Sequence, residues 1–301
     1  MLSQALSGIA KDLTKMSSKS AIKLVVKDES SLFKWVAFLT GSKNALKGIG
    51  FFLGGFLLQY LGFEKALWVM AFALLLILVF ALLKIEGELG KAKKKITFKE
   101  LFSKSAEINI LSFARIFLFG ARDVWFVVGL PLFFAQTLGW SFDEISLFIA
   151  SWIIGYGIVQ AIVPKIAGTQ NTPKGATLGS LIWGGILFLL PVLISIGLFY
   201  KPDLAALLLI IGLFVYGIVF AINSSLHSYL IVAFSDEDKV SLSVGFYYMA
   251  NAIGRFVGTL LSGLIYQQAG LIACLLVSAA MLLIATTSVA FIKVKKVVTS
   301  A

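Results

Sequence analysis

The chain is poor in charged residues and in cysteine, and each shortage excludes a class of protein. Charged residues make up 14% of the 301 residues, whereas a soluble domain has about 25%. The one cysteine, Cys274, excludes a disulfide within the chain and a metal site built from several thiolates. The sequence also lacks a Walker loop, a zinc-ligand spacing and a nucleophile–base signature. We therefore expect no enzyme activity, no cofactor and no metal.

Apolar residues are correspondingly abundant and occur in long runs. They make up 59% of the chain, the mean hydropathy is +0.96, and residues 66–83 and 204–222 are almost uninterrupted apolar segments. Runs of about 18 or more apolar residues are typical of membrane helices. The sequence predicts an all-α polytopic membrane protein with nine spans, at 1–26, 34–61, 66–84, 107–137, 143–167, 175–199, 204–231, 240–266 and 269–292.

The net charge of +11 is explained by basic loops rather than by nucleic-acid binding. The longest polar connection, residues 84–104, is strongly basic, and the tail begins with KVKK at 293–296. The positive-inside rule places both in the cytoplasm. We therefore expect a multi-pass protein of the inner (plasma) membrane with a cytoplasmic C-terminus.

Nine spans make three triplets, whereas major facilitator carriers have four triplets arranged in two halves with a long linker between them. Here the basic linker follows the first triplet. We expect a major facilitator fold with nine of twelve helices, the first three being absent; a genuine nine-helix protein is the alternative. The predicted division is an incomplete N-terminal half at 1–84, a cytoplasmic linker at 85–105 and a complete C-terminal half at 106–301.

Four lysines recur at every fourth residue of the first span, and Lys11, Lys15 and Lys19 are candidate ligands. At about 100° per residue they form one slanting stripe. A lysine at the bilayer centre costs roughly 2.5–3.5 kcal/mol, so the stripe must face water, protein or an anion. A solvated amphipathic helix and a helix lining a cavity both fit. Lys43 and Lys47 in the next span, again four residues apart, favour the cavity.

The fourth span contains Arg115 and Arg122, seven residues apart and followed by Asp123. Two helical turns separate the arginines, so they share a face about 10 Å apart along the axis. One interpretation is a structural ion pair with Asp123. The other is an anion clamp with Asp123 tuning it as a further candidate site residue, because the planar guanidinium binds two oxygens of a phosphate or carboxylate at once.

The eighth span combines polar residues with glycines, in NAIGRFVGTLLSG. Asn251 and Arg255 are candidate substrate ligands, although we favour a packing role for this segment because Gly254 and Gly258 make a small-xxx-small pattern. In the second span, Gly48, Gly50, Gly54 and Gly55 also predict a close helix approach. Cations dominate the predicted membrane interior, so the expected cargo is a small anion.

Four stretches resemble a known family: LSGIAKDLTKMSSKSAIK, LTGSKNALKGIGFFLGG, LFSKSAEINILSFARIFLFGARDVWFVVGLP and WIIGYGIVQ. They are similar to the organoarsenical efflux permeases of the ArsJ type, in the major facilitator superfamily. The resemblance implies export of 1-arseno-3-phosphoglycerate, arsenate resistance and a functional link to a glyceraldehyde-3-phosphate dehydrogenase. Another organophosphate or organic-anion carrier, or a fragment that does not transport, are the alternatives.

Overall fold

The computed structural model describes residues 2–26, 28–84, 105–166, 172–236 and 239–293, and these ranges are helical without strands. Most of the predicted linker and tail, at 85–104 and 294–301, lies outside the described residues. The helices are α1 (Leu2–Val25), α2 (Glu29–Lys84), α3 (Ala106–Phe126), α4 (Gly129–Gln136), α5 (Phe142–Ile166), α6 (Pro173–Tyr200), α7 (Ala205–Ala233) and α8 (Val240–Val289). A short 3₁₀ turn, Pro202–Leu204, precedes α7.

Two of these helices contain a glycine break that divides each into two spans. Gly62 in α2 and Gly270 in α8 have φ values of 74° and 73°, in the left-handed region where glycine has no Cβ penalty. The breaks fall between the predicted spans 34–61 and 66–84, and between 240–266 and 269–292. Eight of the nine predicted spans therefore each coincide with one helical segment of the described chain.

Six helical stretches are long and apolar enough to cross a membrane: Tyr60–Leu83, Ala106–Gln136, Asp143–Ile166, Pro173–Tyr200, Pro202–Ala233 and Val240–Val289. The last contains the break at Gly270 and so holds two predicted spans. Helix α1 and the first part of α2 are not among these stretches, and both carry the lysines singled out above.

The predicted span 107–137 is interrupted between α3 and α4, upstream of Pro131. Proline has no N–H to donate and its ring disturbs the preceding turn. The backbone N–H groups of Val128 and Gly129 instead donate to Ser262 Oγ of α8, at 3.3 and 3.0 Å. A side chain from a neighbouring helix thus satisfies the backbone at the break.

Glycines allow two helix pairs to pack with their backbones close together. A Cβ on Gly258 of α8 would lie 2.5 Å from the carbonyl oxygen of Gly120 in α3, and Gly254 meets the backbone of Ile116. Gly41 of α2 lies against the backbone of Gly157 in α5. The predicted small-xxx-small packing of α8 is confirmed.

The glycine prediction for the second span is only partly right. Gly48 packs against Ile154 of α5, but nothing among the described residues lies within 4 Å of a Cβ placed on Gly50 or Gly54. These two face away from the α5 contact because they lie about 200° and 240° further round the helix than Gly48. The surroundings of Gly55 lie outside the described part of the chain.

The buried apolar core consists of two clusters at opposite ends of the helix bundle. One is centred on aromatic residues such as Trp125, Trp152 and Phe220. The other includes Phe33, Tyr229 and Tyr247. Along α3 the boundary between the clusters falls between Ala114 and Leu118, which places Arg115 where they meet.

Candidate functional site

A polar cavity of about 120 Å³ lies where the two apolar clusters meet. Its walls come from α2, α3, α5, α7 and α8, so they include helices on both sides of the 85–104 segment. The lining residues are Thr40, Lys43, Asn44, Lys47, Arg115, Phe119, Arg122, Tyr156, Ser228, Tyr248, Asn251 and Arg255.

Six of the ten candidates named from the sequence line this cavity: Lys43, Lys47, Arg115, Arg122, Asn251 and Arg255. Asp123 is not part of the lining but forms ion pairs with Arg122 and Arg255. Lys19 lines a neighbouring cavity. The side chains of Lys11 and Lys15 lie outside the described part of the chain. Residues far apart in sequence are therefore brought together, as the cavity interpretation of the lysines requires.

The cavity is strongly positive. Among the described residues its lining contains five cationic side chains and no carboxylate, and Asp123 pairs with two of the five, Arg122 and Arg255. Like charges in a medium of low dielectric repel one another more strongly than in water. An anion inside the cavity would relieve that repulsion.

Arg115 is held from several directions and is 4% exposed. Its Nη1 donates to Ser224 Oγ at 3.1 Å, and its Nε donates to Asn251 Oδ1 at 3.3 Å. The guanidinium carbon lies 3.8 Å from the ring centroid of Phe119 and 4.7 Å from that of Tyr247. Stacking and hydrogen bonding together orient the charge without neutralising it.

Arg122 and Arg255 are bridged by one carboxylate. Asp123, which is fully buried, accepts from Arg122 Nε at 2.7 Å and from Arg255 Nε at 2.9 Å. Arg122 also lies over the Phe119 ring, at 4.9 Å, so the two arginines of α3 share that face. An ion pair with Asp123 therefore exists, yet both of its arginines still line the cavity.

A second cavity, of about 450 Å³, adjoins the first. Thr40, Lys43 and Tyr248 belong to both linings. Lys19 lies at the wall of the second cavity. The two spaces thus share a wall that includes Tyr248.

The chain matches the family model of the Major Facilitator Superfamily over residues 1–230 and 111–300. It belongs to the major facilitator superfamily. Members of this superfamily are transporters, so the chain is a multi-pass membrane protein of a transporter family.

Among solved structures, the chain is similar to the crystal structure of the human organic anion transporter MFSD10 (TETRAN), with a TM-score of 0.68 and 18% sequence identity. The match covers 91% of this chain and 67% of that one. At this identity the likeness shows the fold. No curated protein matches the sequence.

In major facilitator carriers the substrate site lies near the bilayer midplane, at the interface of the repeats. The cationic cavity lies between helices on either side of the 85–104 segment, where α2 meets α5 and α7. Membership of the superfamily and the geometry of the cavity therefore point to the same region of the molecule.

Sequence reasoning named Asn251 but missed Ser224 and Gln160, two other uncharged residues around Arg115. Ser224 Oγ accepts from Arg115 and from Gln160 Nε2, and lies 3.2 Å from Tyr156 Oη; Gln160 in turn accepts from Asn44 Nδ2 at 2.5 Å. These bonds link α3, α7, α5 and α2. The available signal was that polar side chains within apolar spans are seldom without a role.

Proposed function

We propose that the protein transports an organic anion bearing a phosphate-like group. The observation that carries this proposal is the cavity whose described lining contains five cationic side chains and no carboxylate. Such a concentration of positive charge attracts an anion. An anionic substrate bound there would offset the repulsion between the cations.

The chemistry of the arginines favours phosphate or a similar oxyanion. Guanidinium groups bind two oxygens in a planar fork, and Arg115 and Arg122 converge on one ring, Phe119. Lys43 and Lys47 face them from α2. A group with several charged oxygens would contact both sets at once.

The specific substrate we propose is 1-arseno-3-phosphoglycerate, whose export would confer arsenate resistance. The support is that the resemblance to organoarsenical permeases includes the stretches that contain Lys43, Lys47, Arg115 and Arg122. Trivalent arsenic would instead be expected to bind soft thiolates, and Cys274 is not in the cavity lining. A functional link to a glyceraldehyde-3-phosphate dehydrogenase, which would make the ester, is part of this proposal.

The second candidate is another organophosphate or organic-anion carrier. It is favoured by the solved structure to which the chain is similar, which is described as an organic anion transporter. Both candidates need the same cationic cavity and differ in which anion fits it.

Efflux from the cytosol is the direction we propose, across the plasma membrane and with a cytoplasmic C-terminus. Lys165, Lys174, Lys239 and Lys293 lie at or near helix ends on the side to which the basic 85–104 segment connects. A negative-inside potential of 100 mV favours each exiting negative charge by roughly 2.3 kcal/mol. We also propose the division into 1–84, 85–105 and 106–301, because the cavity lies between helices of the first and last parts.

Arsenate resistance in an arsenate-sensitive bacterium expressing the protein tests the function. We expect Arg115→Ala and Lys43→Ala each to lower resistance to that of cells without the protein, at unchanged membrane abundance. Lys34→Ala, an exposed lysine on α2, is the matched control and should retain resistance. Resistance unaffected by Arg115→Ala would refute the assignment. Uptake of labelled glycerol phosphate into inverted vesicles, without protection from arsenate, would favour the second candidate.

A further inference from the structure

Lys19 is a buried cation whose charged atom lacks a hydrogen-bond partner. The residue is 2% exposed, and among the described residues nothing accepts a hydrogen bond from its Nζ. An ammonium group taken out of water without a partner is unfavourable by several kcal/mol in general. An anion bound beside Lys19 would supply the missing hydrogen-bond partner and favour the charged form of the amine.

The lysine has a space in which to meet that anion. It lines the cavity of about 450 Å³ together with Thr14, Ser18 and Ser42, and this cavity shares Thr40, Lys43 and Tyr248 with the cationic cavity. The cationic cavity alone, at about 120 Å³, is smaller than the roughly 300–1,000 Å³ usual for small-molecule sites. A ligand anchored on the arginines and larger than this cavity would reach toward the second space.

Tyr248 lies between the two lysines at this junction. Its ring centroid is 5.2 Å from Lys19 Nζ and 5.8 Å from Lys43 Nζ. Two ammonium groups facing one ring attract its π electrons and repel each other. An anionic group seated between them would offset the repulsion, and the tyrosine would then be next to the body of the ligand.

We infer that Lys19 and Lys43 form a second anion subsite beside the arginine site. The substrate is then a short molecule with a negative group at each end, such as a phosphate and a carboxylate or two phosphates, whose middle passes Tyr248. This inference rests on the proposed function, because one end must bind at Arg115 and Arg122.

Two small ligands that differ at one end test the inference by calorimetry on the purified protein. 3-Phosphoglycerate and glycerol 3-phosphate both carry a phosphate on three carbons, but only the first also has a carboxylate. We expect the protein to prefer 3-phosphoglycerate, and Lys19→Met to lower affinity for it about tenfold or more. Affinity for glycerol 3-phosphate should change less than about twofold in the same variant.

The ligand-free melting temperature gives a second readout. Replacing an unpaired buried charge with an apolar side chain should raise it, whereas loss of a purely structural contact with Tyr248 would lower it. Lys34→Met, at an exposed position, should change neither the melting temperature nor either affinity. Lys19→Gln repeats the binding measurement if the methionine variant does not fold.

The outcomes separate this inference from the proposed function. Equal affinities of the wild type for the two ligands, or equal weakening of both by Lys19→Met, would overturn the two-ended substrate. Arg115→Ala should weaken both ligands. If Arg115→Ala leaves both unchanged, the proposed function fails irrespective of the Lys19 result.

Discussion

Ser224 shows how a neutral residue sets the position of a charge. Its hydroxyl oxygen accepts from Arg115, from Gln160 and from Tyr156 Oη. The next residue, Ser225, is equally buried, but its Oγ has no hydrogen-bond partner among the described residues.

Ser224 and Ser225 are adjacent and equally buried, so the same substitution at each provides a matched test. We expect Ser224→Ala to lower ligand affinity by about five- to tenfold, because Arg115 and Gln160 each lose an acceptor that was buried. Ser225→Ala should have no such effect and should slightly stabilise the protein. Calorimetry with 3-phosphoglycerate measures both variants, and equal affinities would contradict a positioning role for Ser224.

At the scale of secondary-structure elements, the contact between α3 and α8 depends on glycines, which have no side chain to keep the backbones apart. Gly254 and Gly258 place α8 directly against the backbone of α3, which carries Arg115, Arg122 and Asp123. A methyl group at this crossing would meet backbone atoms, which cannot rotate aside. Packing of these helices therefore fixes the distance between Arg255 and Asp123.

Two glycine-to-alanine variants on the same helix should change stability in opposite directions. Gly258→Ala would place a Cβ 2.5 Å from Gly120 O, and such overpacking costs typically 1–3 kcal/mol. Nothing described lies within 4 Å of a Cβ at Gly263, so Gly263→Ala should gain up to about 1 kcal/mol of helix propensity. Thermal unfolding in detergent measures both, and the same sign for both would contradict the packing.

The start of α2 provides a pH-dependent test at the same scale. Ser30 Oγ donates to Asp28 Oδ2 at 2.7 Å and the Ser31 N–H donates to it at 2.8 Å. These bonds lower the pKa of Asp28 to about 2, below the value near 3.9 of an unfolded aspartate. A depressed pKa stabilises the fold above the unfolded pKa, and this stabilisation is lost as the pH falls.

We therefore expect Asp28→Ala to lower the melting temperature slightly at pH 6. The difference from the wild type should remain constant down to about pH 4 and shrink between about pH 4 and pH 2. Melting curves across this range provide the measurement. A difference that grows on acidification would show that the carboxylate destabilises this turn.

For the whole molecule, α1 is connected to α7 and α8 near one end of the bundle. Ser20 Oγ lies 2.6 Å from Ser241 Oγ, and Lys23 Nζ donates to the carbonyl of Ala233 at 3.5 Å. Carriers of this superfamily work by rocking one half against the other around a fixed site. Contacts between α1 and α8 must then break and re-form during transport.

A cysteine pair tests this motion. On a Cys274→Ser background, we expect Ser20→Cys with Ser241→Cys to form a disulfide on oxidation, because the hydroxyl oxygens are already in contact. Oxidation should abolish transport and a reductant should restore it, as measured by vesicle uptake and maleimide labelling. Each single-cysteine variant is the control. Full transport by the oxidised pair would mean that this contact does not open.

The sequence alone determined the fold class, whereas the type of site stays a prediction. Long apolar runs predict membrane helices because lipid cannot satisfy an unpaired backbone group, and glycines marked the breaks at Gly62 and Gly270. Cations in apolar surroundings indicated an anion site, since each one buried requires a partner. These properties depend on composition and on the local order of residues, and both can be read directly from the sequence.

Only the tertiary structure decided which side chains meet. Arg115 and Asn251 are 136 residues apart and Asn44 and Gln160 are 116 apart, so no local pattern relates them. The tertiary structure also places Lys19 at the wall of the second cavity and Asp123 between Arg122 and Arg255. Helix crossings at Gly41, Gly254 and Gly258 set these distances, and crossing positions follow from the packing of many surfaces at once.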